Sequence, residues 1–186
     1  ATEDMNLPKM LHQRVASHPG QVAIERRSNV GAWRQVTMET FLGEADSLAR
    51  GLIGIGLEAG DHLAILAPAS YEWALIDVAA LSCGAITVPI YETDSAEQIE
   101  WILQDAALRL VITESTALAE IVRQAISAYS AAHEDAPSVD VMPLDRDALT
   151  ALTTAGAEIS RSALDARTAA VTASDTYSII YTSGTT

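Results

Sequence analysis

The stretch HLAILAPASYEWALIDVAALSCGAITVPI, residues 62–90, decides the fold. Its opening, 62–67, is a short apolar run of strand length. Ser70 follows with a hydroxyl suited to capping a helix. Residues 71–83 are apolar on nearly every side, which predicts a buried helix. Gly84 interrupts the run, and 85–90 reads as a second strand. Pro89 has no N–H to give a ladder, so this strand ends there or lies against an irregular edge. Strand, helix and strand in that order predict a parallel pair with the helix crossing between them.

The same alternation continues downstream. Ser95-Ala96-Glu97-Gln98 has capping-box spacing and opens a helix with Ile99, Ile102, Leu103 and Ala106 on one face. A strand is expected at 108–113. Ser115 can cap a helix carrying Leu118, Ile121, Val122, Ala125 and Ile126. Residues 129–138 read as a polar connection and 139–144 as a fourth strand. Three helices between four strands define an α/β fold, with a largely parallel or mixed sheet flanked by helices.

Upstream, 6–20 is expected to be a helix ending near His18-Pro19-Gly20. Strands 22–27 and 33–37 form a hairpin around Ser28-Asn29-Val30-Gly31. Thr37 is a candidate N-cap for a helix whose apolar face is Phe41, Leu42, Ala45, Leu48, Ala49 and Leu52, ended by Gly54 and Gly56. Between 145 and 172 the chain is alanine-rich, with weak helical signals at 146–155 and 160–170. Residues 177–181 are expected to form a last short strand. The division read from this is a helix and hairpin at 1–37, an α/β core at 38–145, a connection at 146–172, and a strand with a following loop at 173–186.

Composition narrows the function classes. The 186 residues carry a formal net charge of -14. That argues against nucleic acid, which needs a basic footprint, and against a polybasic membrane patch. Lys9 is the single lysine. Cys83 is the single cysteine, so no internal disulfide forms, and its apolar surroundings suit a core residue. The acidic, polar start is not a signal peptide. The longest apolar run, 73–91, is interrupted by Asp77, Gly84 and Pro89, so no transmembrane segment is read and a cytoplasmic location is expected. His12, His18, His62 and His133 lack metal-ligand spacing. Asp94 and Glu97 read as helix-start acids, and Tyr71, Trp73 and Trp101 as core aromatics.

The chemistry sits in the last six residues, Tyr181-Thr182-Ser183-Gly184-Thr185-Thr186, which directly follow Ser178-Ile179-Ile180. A strand leading into hydroxyls around a glycine is a workable phosphate cradle. The glycine lets the backbone approach closely, and successive N–H groups can point into one concavity. It is not a Walker A loop, since no G-x-x-x-x-G-K-[ST] occurs in the chain. On composition alone, the six residues equally suit a Ser/Thr-rich turn.

Set beside the upstream blocks, this loop resembles the phosphate-loop motif of the adenylate-forming superfamily, which begins Tyr-Thr-Ser-Gly-Thr-Thr and continues Gly-x-Pro-Lys-Gly. Gly60-Asp61-His62-Leu63-Ala64-Ile65-Leu66 resembles that family's Gly-Asp-x-Val-Ala-Ile strand. Gly84-Ala85-Ile86-Thr87-Val88-Pro89-Ile90-Tyr91 resembles its Gly-Ala-x-x-Val-Pro block, and Glu97-Gln98-Ile99-Glu100-Trp101-Ile102-Leu103 the helix after it. Val88-Pro89-Ile90-Tyr91-Glu92-Thr93 is most similar to long-chain fatty acyl-CoA synthetases.

The resemblance implies a partial N-terminal AMP-binding domain over 1–186, of an enzyme that converts fatty acid, ATP and coenzyme A to acyl-CoA, AMP and pyrophosphate through an acyl-adenylate. It implies ATP-phosphate contacts at Thr182, Ser183, Gly184, Thr185 and Thr186, and a Mg2+ contact at Thr182. No catalytic residue is assigned within these residues. The motif's lysine, the adenine and ribose motifs, the magnesium carboxylate and the C-terminal domain that the resemblance implies are absent from these residues, so a fragment inactive by itself is expected. Alternatives are a ligase that loads a carrier protein and a non-catalytic binding module. Peripheral membrane association and a homodimer stay open.

Overall fold

The computed structural model describes residues 6–27, 31–91, 94, 96–132 and 138–182. The expected turn at Ser28-Asn29-Val30, the cap Ser95, His133 and the loop residues Ser183, Gly184, Thr185 and Thr186 lie outside them, as does the side chain of Glu97. The chain runs α1 (Leu7–Ser17), β1 (Val22–Arg27), β2 (Trp33–Thr37), α2 (Met38–Gly54), β3 (His62–Leu66), α3 (Tyr71–Cys83), β4 (Ile86–Ile90), α4 (Ala96–Asp105), β5 (Leu108–Thr113), α5 (Thr116–Ala132), β6 (Asp140–Pro143), α6 (Arg146–Ala155) and α7 (Arg161–Ala170).

β1 and β2 form an antiparallel hairpin; β4, β3, β5 and β6 form a parallel sheet in that order. The fold is therefore the α/β layering expected from the alternation. Helix starts follow capping chemistry. Asn6, Thr37, Ser70, Asp145 and Ser160 each accept a backbone N–H from the first turn of the helix they open. α3 ends at Gly84, whose φ of 83° is the left-handed conformation that glycine adopts without a Cβ penalty.

The sheet separates two apolar layers because successive strand residues point to opposite faces. Leu63, Ile65, Leu110 and Ile112 pack with α2, α3 and the buried Leu152 and Leu164 of α6 and α7. Ala64, Leu66, Val88, Ile90 and Val111 pack with Ile102 and Ala106 of α4 and Val122 of α5. The pairing of His62 with Leu108 and Leu63 with Leu110 leaves Arg109 as an extra residue in β5. This bulge re-aims Arg109 to Asp140 on the neighbouring strand.

The weak helical signals at 146–155 and 160–170 correspond to α6 and α7, which pack onto α2 and α3. A Cβ at Gly54 would fall 2.4 Å from the Ala155 carbonyl oxygen, so α2 and α6 meet backbone to backbone. α7 is tied in by Thr168, which donates to the Ser82 carbonyl, and by Asn6, which donates to the carbonyls of Thr168 and Val171. α5 runs through Ala132, so the first part of the expected polar connection is helix. Trp101 is not core: it is 55% exposed, because the buried stripe of α4 passes through Ile102 and Ala106 instead. Tyr71 and Trp73 are partly buried against the first apolar layer. Asp94 precedes α4 and closes a turn by accepting the Tyr91 N–H.

The expected strand at 177–181 is reduced to one parallel bridge, between Thr87 and Ser178. The Thr87 N–H donates to the Tyr177 carbonyl, and the Ile179 N–H donates to the Thr87 carbonyl. The next rung would need an N–H from residue 89, which faces the same side as Thr87. That residue is Pro89, so the ladder stops.

Candidate functional site

Segment 177–182 runs parallel to β4 on its outer side and brings Thr182 to the C-terminal end of the sheet. Ligands of open α/β sheets bind at this end. Side chains reinforce the single bridge. The Tyr177 hydroxyl donates to the Asp77 carboxylate of α3. The Ser178 hydroxyl donates to the Thr87 carbonyl at 3.0 Å. Ile179 and Tyr181 lean on the second apolar layer.

Tyr181 is held twice by α4. Its hydroxyl donates to Asp105 at 2.7 Å. Its ring meets Trp101 edge to face, with centroids 5.2 Å apart and planes at 89°. Partial burial, then the Asp105 hydrogen bond, push the Tyr181 phenol up to about 12. Burial and Asp77 raise the Tyr177 phenol as well. Both stay protonated donors at neutral pH.

A cavity of about 470 Å³ opens beside this point. It is lined by Tyr91, Asp94, Gln98, Trp101, Ile102, Tyr181 and Thr182. Thr182 is exposed on its wall. The lining includes a carboxylate and no lysine or arginine. The arginines nearest in sequence are engaged elsewhere: Arg161 with Asp46 at 2.8 Å and Asp165 at 2.9 Å, and Arg167 with Glu58 at 3.4 Å. The described part of the site thus offers hydroxyls and an aromatic wall. A triphosphate also needs cations, and these residues do not bring them.

A larger cleft, about 930 Å³, lies between α2, α3 and α6 and shares no lining residue with the first. Its charges are partly spent on each other, as in the 3.1 Å pair of Arg26 with Glu72. Cys83 is fully buried, and burial pushes its thiol up to about 11. It is a core residue. Among the described residues no group of three or more His, Cys, Asp and Glu side chains could hold a metal ion. His12 sits 3.6 Å from Asp46, and His62 Nδ1 contacts the Ala106 carbonyl. Sequence reading missed Asp77, Trp101 and Asp105 as partners of the loop stem. The one available signal was the spacing of Trp101 and Asp105, four apart on α4 and off its core stripe.

A family model for the AMP-binding enzymes matches residues 11–186. The chain belongs to this family, the adenylate-forming enzymes. It is similar to the long-chain-fatty-acid–CoA ligase FadD15 of Mycobacterium bovis, 38% identical over 99% of this chain and 30% of the relative. FadD15 of Mycobacterium tuberculosis is 37% identical over the same shares. The chain spans about 30% of the length of these curated relatives. Among solved structures, a Mycobacterium tuberculosis fatty acyl CoA synthetase superposes with a TM-score of 0.61 and 25% identity over 80% of this chain and 28% of that one. VinN in complex with L-aspartate superposes with a TM-score of 0.68 over 98% of this chain and 45% of that one; at 20% identity it speaks for the fold alone.

Proposed function

We propose that this chain is the N-terminal part of an ATP-dependent long-chain fatty acyl-CoA synthetase. The observation that carries the reading is the position of Thr182, which opens the hydroxyl-and-glycine loop at the C-terminal end of a parallel sheet. The 38% identity to FadD15 supports the substrate class. In the reaction a fatty carboxylate oxygen attacks the α-phosphorus of ATP, the bond to the β-phosphate breaks, and pyrophosphate leaves. The coenzyme A sulfur then attacks the acyl carbonyl and releases AMP.

The chain's own contribution is to hold the departing pyrophosphate portion. Backbone N–H groups and hydroxyls from Thr182 to Thr186 donate to its oxygens, where charge accumulates. Magnesium in phosphate sites is held by one or two carboxylates together with phosphate oxygens and water. The Thr182 hydroxyl would supply one neutral ligand to that set, and a carboxylate would complete it. When bound, magnesium neutralises charge on the phosphate oxygens.

The test is fatty-acid-dependent exchange of labelled pyrophosphate into ATP by the full-length protein, followed by product analysis with coenzyme A and with a carrier protein as acceptors. Exchange with palmitate and a coenzyme A thioester as product are expected. No exchange with any fatty acid would overturn the reading, and a product formed with the carrier alone would move it to the carrier-loading class.

A further inference from the structure

The main-chain ladder that should carry the loop stem ends one rung too early. Thr87 bonds to residues 177 and 179, and Pro89 cannot supply the next donor. Tyr181, the last residue before the loop, therefore lies past the described backbone attachment to the sheet. Side chains take over at that point. Trp101 and Asp105 are four residues apart on α4, which places them on one stripe of the helix. One gives its ring at 5.2 Å to the Tyr181 ring, and the other gives a carboxylate to the Tyr181 hydroxyl at 2.7 Å. Neither faces the core: both are exposed, while Ile102 and Ala106 of the same helix are buried. Their common partner is the stem of the loop.

We propose that Trp101 and Asp105 are positioning residues that clamp Tyr181 and so fix where the phosphate-binding loop begins. This rests on the reading of 182–186 as a phosphate loop. A stem fixed before the ligand arrives spares the ligand the entropy of ordering it. The clamp thus acts on nucleotide affinity and leaves fatty-acid affinity alone.

The test uses the full-length protein and a non-hydrolysable ATP analogue with magnesium, measured by calorimetry, beside steady-state kinetics. Trp101→Ala and Asp105→Ala should each weaken analogue binding and raise the KM for ATP by about tenfold, the equivalent of ordering one residue. The KM for fatty acid and the melting temperature should hold. Trp101→Phe keeps a ring edge and Asp105→Asn keeps an acceptor, so both should bind nearly as wild type. Tyr181→Phe keeps the packing, loses the hydroxyl, and should match Asp105→Ala. If wild type binds the analogue and the alanine variants bind it equally well, the clamp is wrong while the functional reading stands. Equal loss in the conservative and alanine variants would also overturn it, since the ring edge and the hydrogen bond would then not be the cause. If wild type binds no nucleotide, the functional reading fails and takes the clamp with it.

Discussion

Gly51 of α2 lies directly against the carbonyl of Leu152 in α6: a Cβ at position 51 would fall 2.3 Å from that oxygen. The obstacle is main chain, so it cannot swing aside. Gly51→Ala should destabilise the full-length protein by about 1–3 kcal/mol, as overpacking does. Gly43, on the same helix, has open space around the corresponding point. Gly43→Ala should stabilise by about 0.5–1 kcal/mol through helix propensity. Thermal unfolding of the two variants checks the pair. Stabilisation in both would show that helix propensity, and not the α2–α6 contact, governs position 51.

Thr182→Ala should cut pyrophosphate exchange by about 10²–10³-fold, the usual cost of one donor aimed at transition-state charge. The hydroxyl is exposed and contributes little to packing, so the melting temperature should stay within one degree or so of wild type, a surface-substitution effect. Exchange at the wild-type rate under saturating ATP and fatty acid would remove Thr182 from the site.

Cys83 should be inert to thiol reagents in the native protein at pH 8. With its pKa near 11, about one molecule in a thousand carries the thiolate, and the side chain is fully buried. The unfolded thiol ionises near 9. Its contribution to stability is therefore complete below that value and is lost as pH rises from about 9 through 11. Peptide mapping after labelling, with and without denaturant, reads the first effect. A Cys83→Ala variant whose unfolding free energy falls less steeply over the same pH window reads the second. Rapid native labelling of Cys83 at pH 8 would contradict its place in the core.

Pro89→Val puts back the donor that faces Ile179. Hydrogen exchange should then show new protection at residues 89 and 181, because a second rung forms between β4 and the loop stem. Unchanged exchange at residue 181 would mean that something other than the missing donor ends the ladder.

The elements from residue 37 to residue 113 were legible because their signals are local. Ser70 and Gly84 bracket α3, and the apolar runs of β3, β4 and β5 match their lengths in the sheet. Pro89 also spoke correctly of an irregular edge. Trp101 did not, since an aromatic residue near a helix core stripe looks buried until its partner is known. That partner, Tyr181, is 80 positions away, and no period in the sequence records it. The Arg109 bulge was hidden for a related reason: β5 is apolar on both sides of it, so neither register looked wrong. α6 gave a weak signal because its contact with α2 relies on Gly51 and Gly54 meeting main chain, and α7 because only Leu164 and Thr168 of it are buried. At the loop, the sequence carried more than the described residues do, since only Thr182 of the five proposed phosphate contacts lies among them.

Pro89 has a counterpart on the far side of the sheet. β6 is the opposite outer strand, and it ends in Pro143. The Leu144 N–H turns inward to the Thr113 carbonyl, so position 143 faces outward, like Val141, whose carbonyl takes a hydrogen bond from Arg123 at 2.9 Å. Each of these borders therefore lacks a donor in its outer row, and on each an acceptor is already occupied, that of Thr87 by the Ile179 N–H and that of Val141 by Arg123. A strand arriving from another molecule would find a broken template on either flank. Unblunted borders invite stacking of chains into aggregates. The two prolines blunt the described borders of the sheet, and they do so while leaving both apolar faces free for the helices.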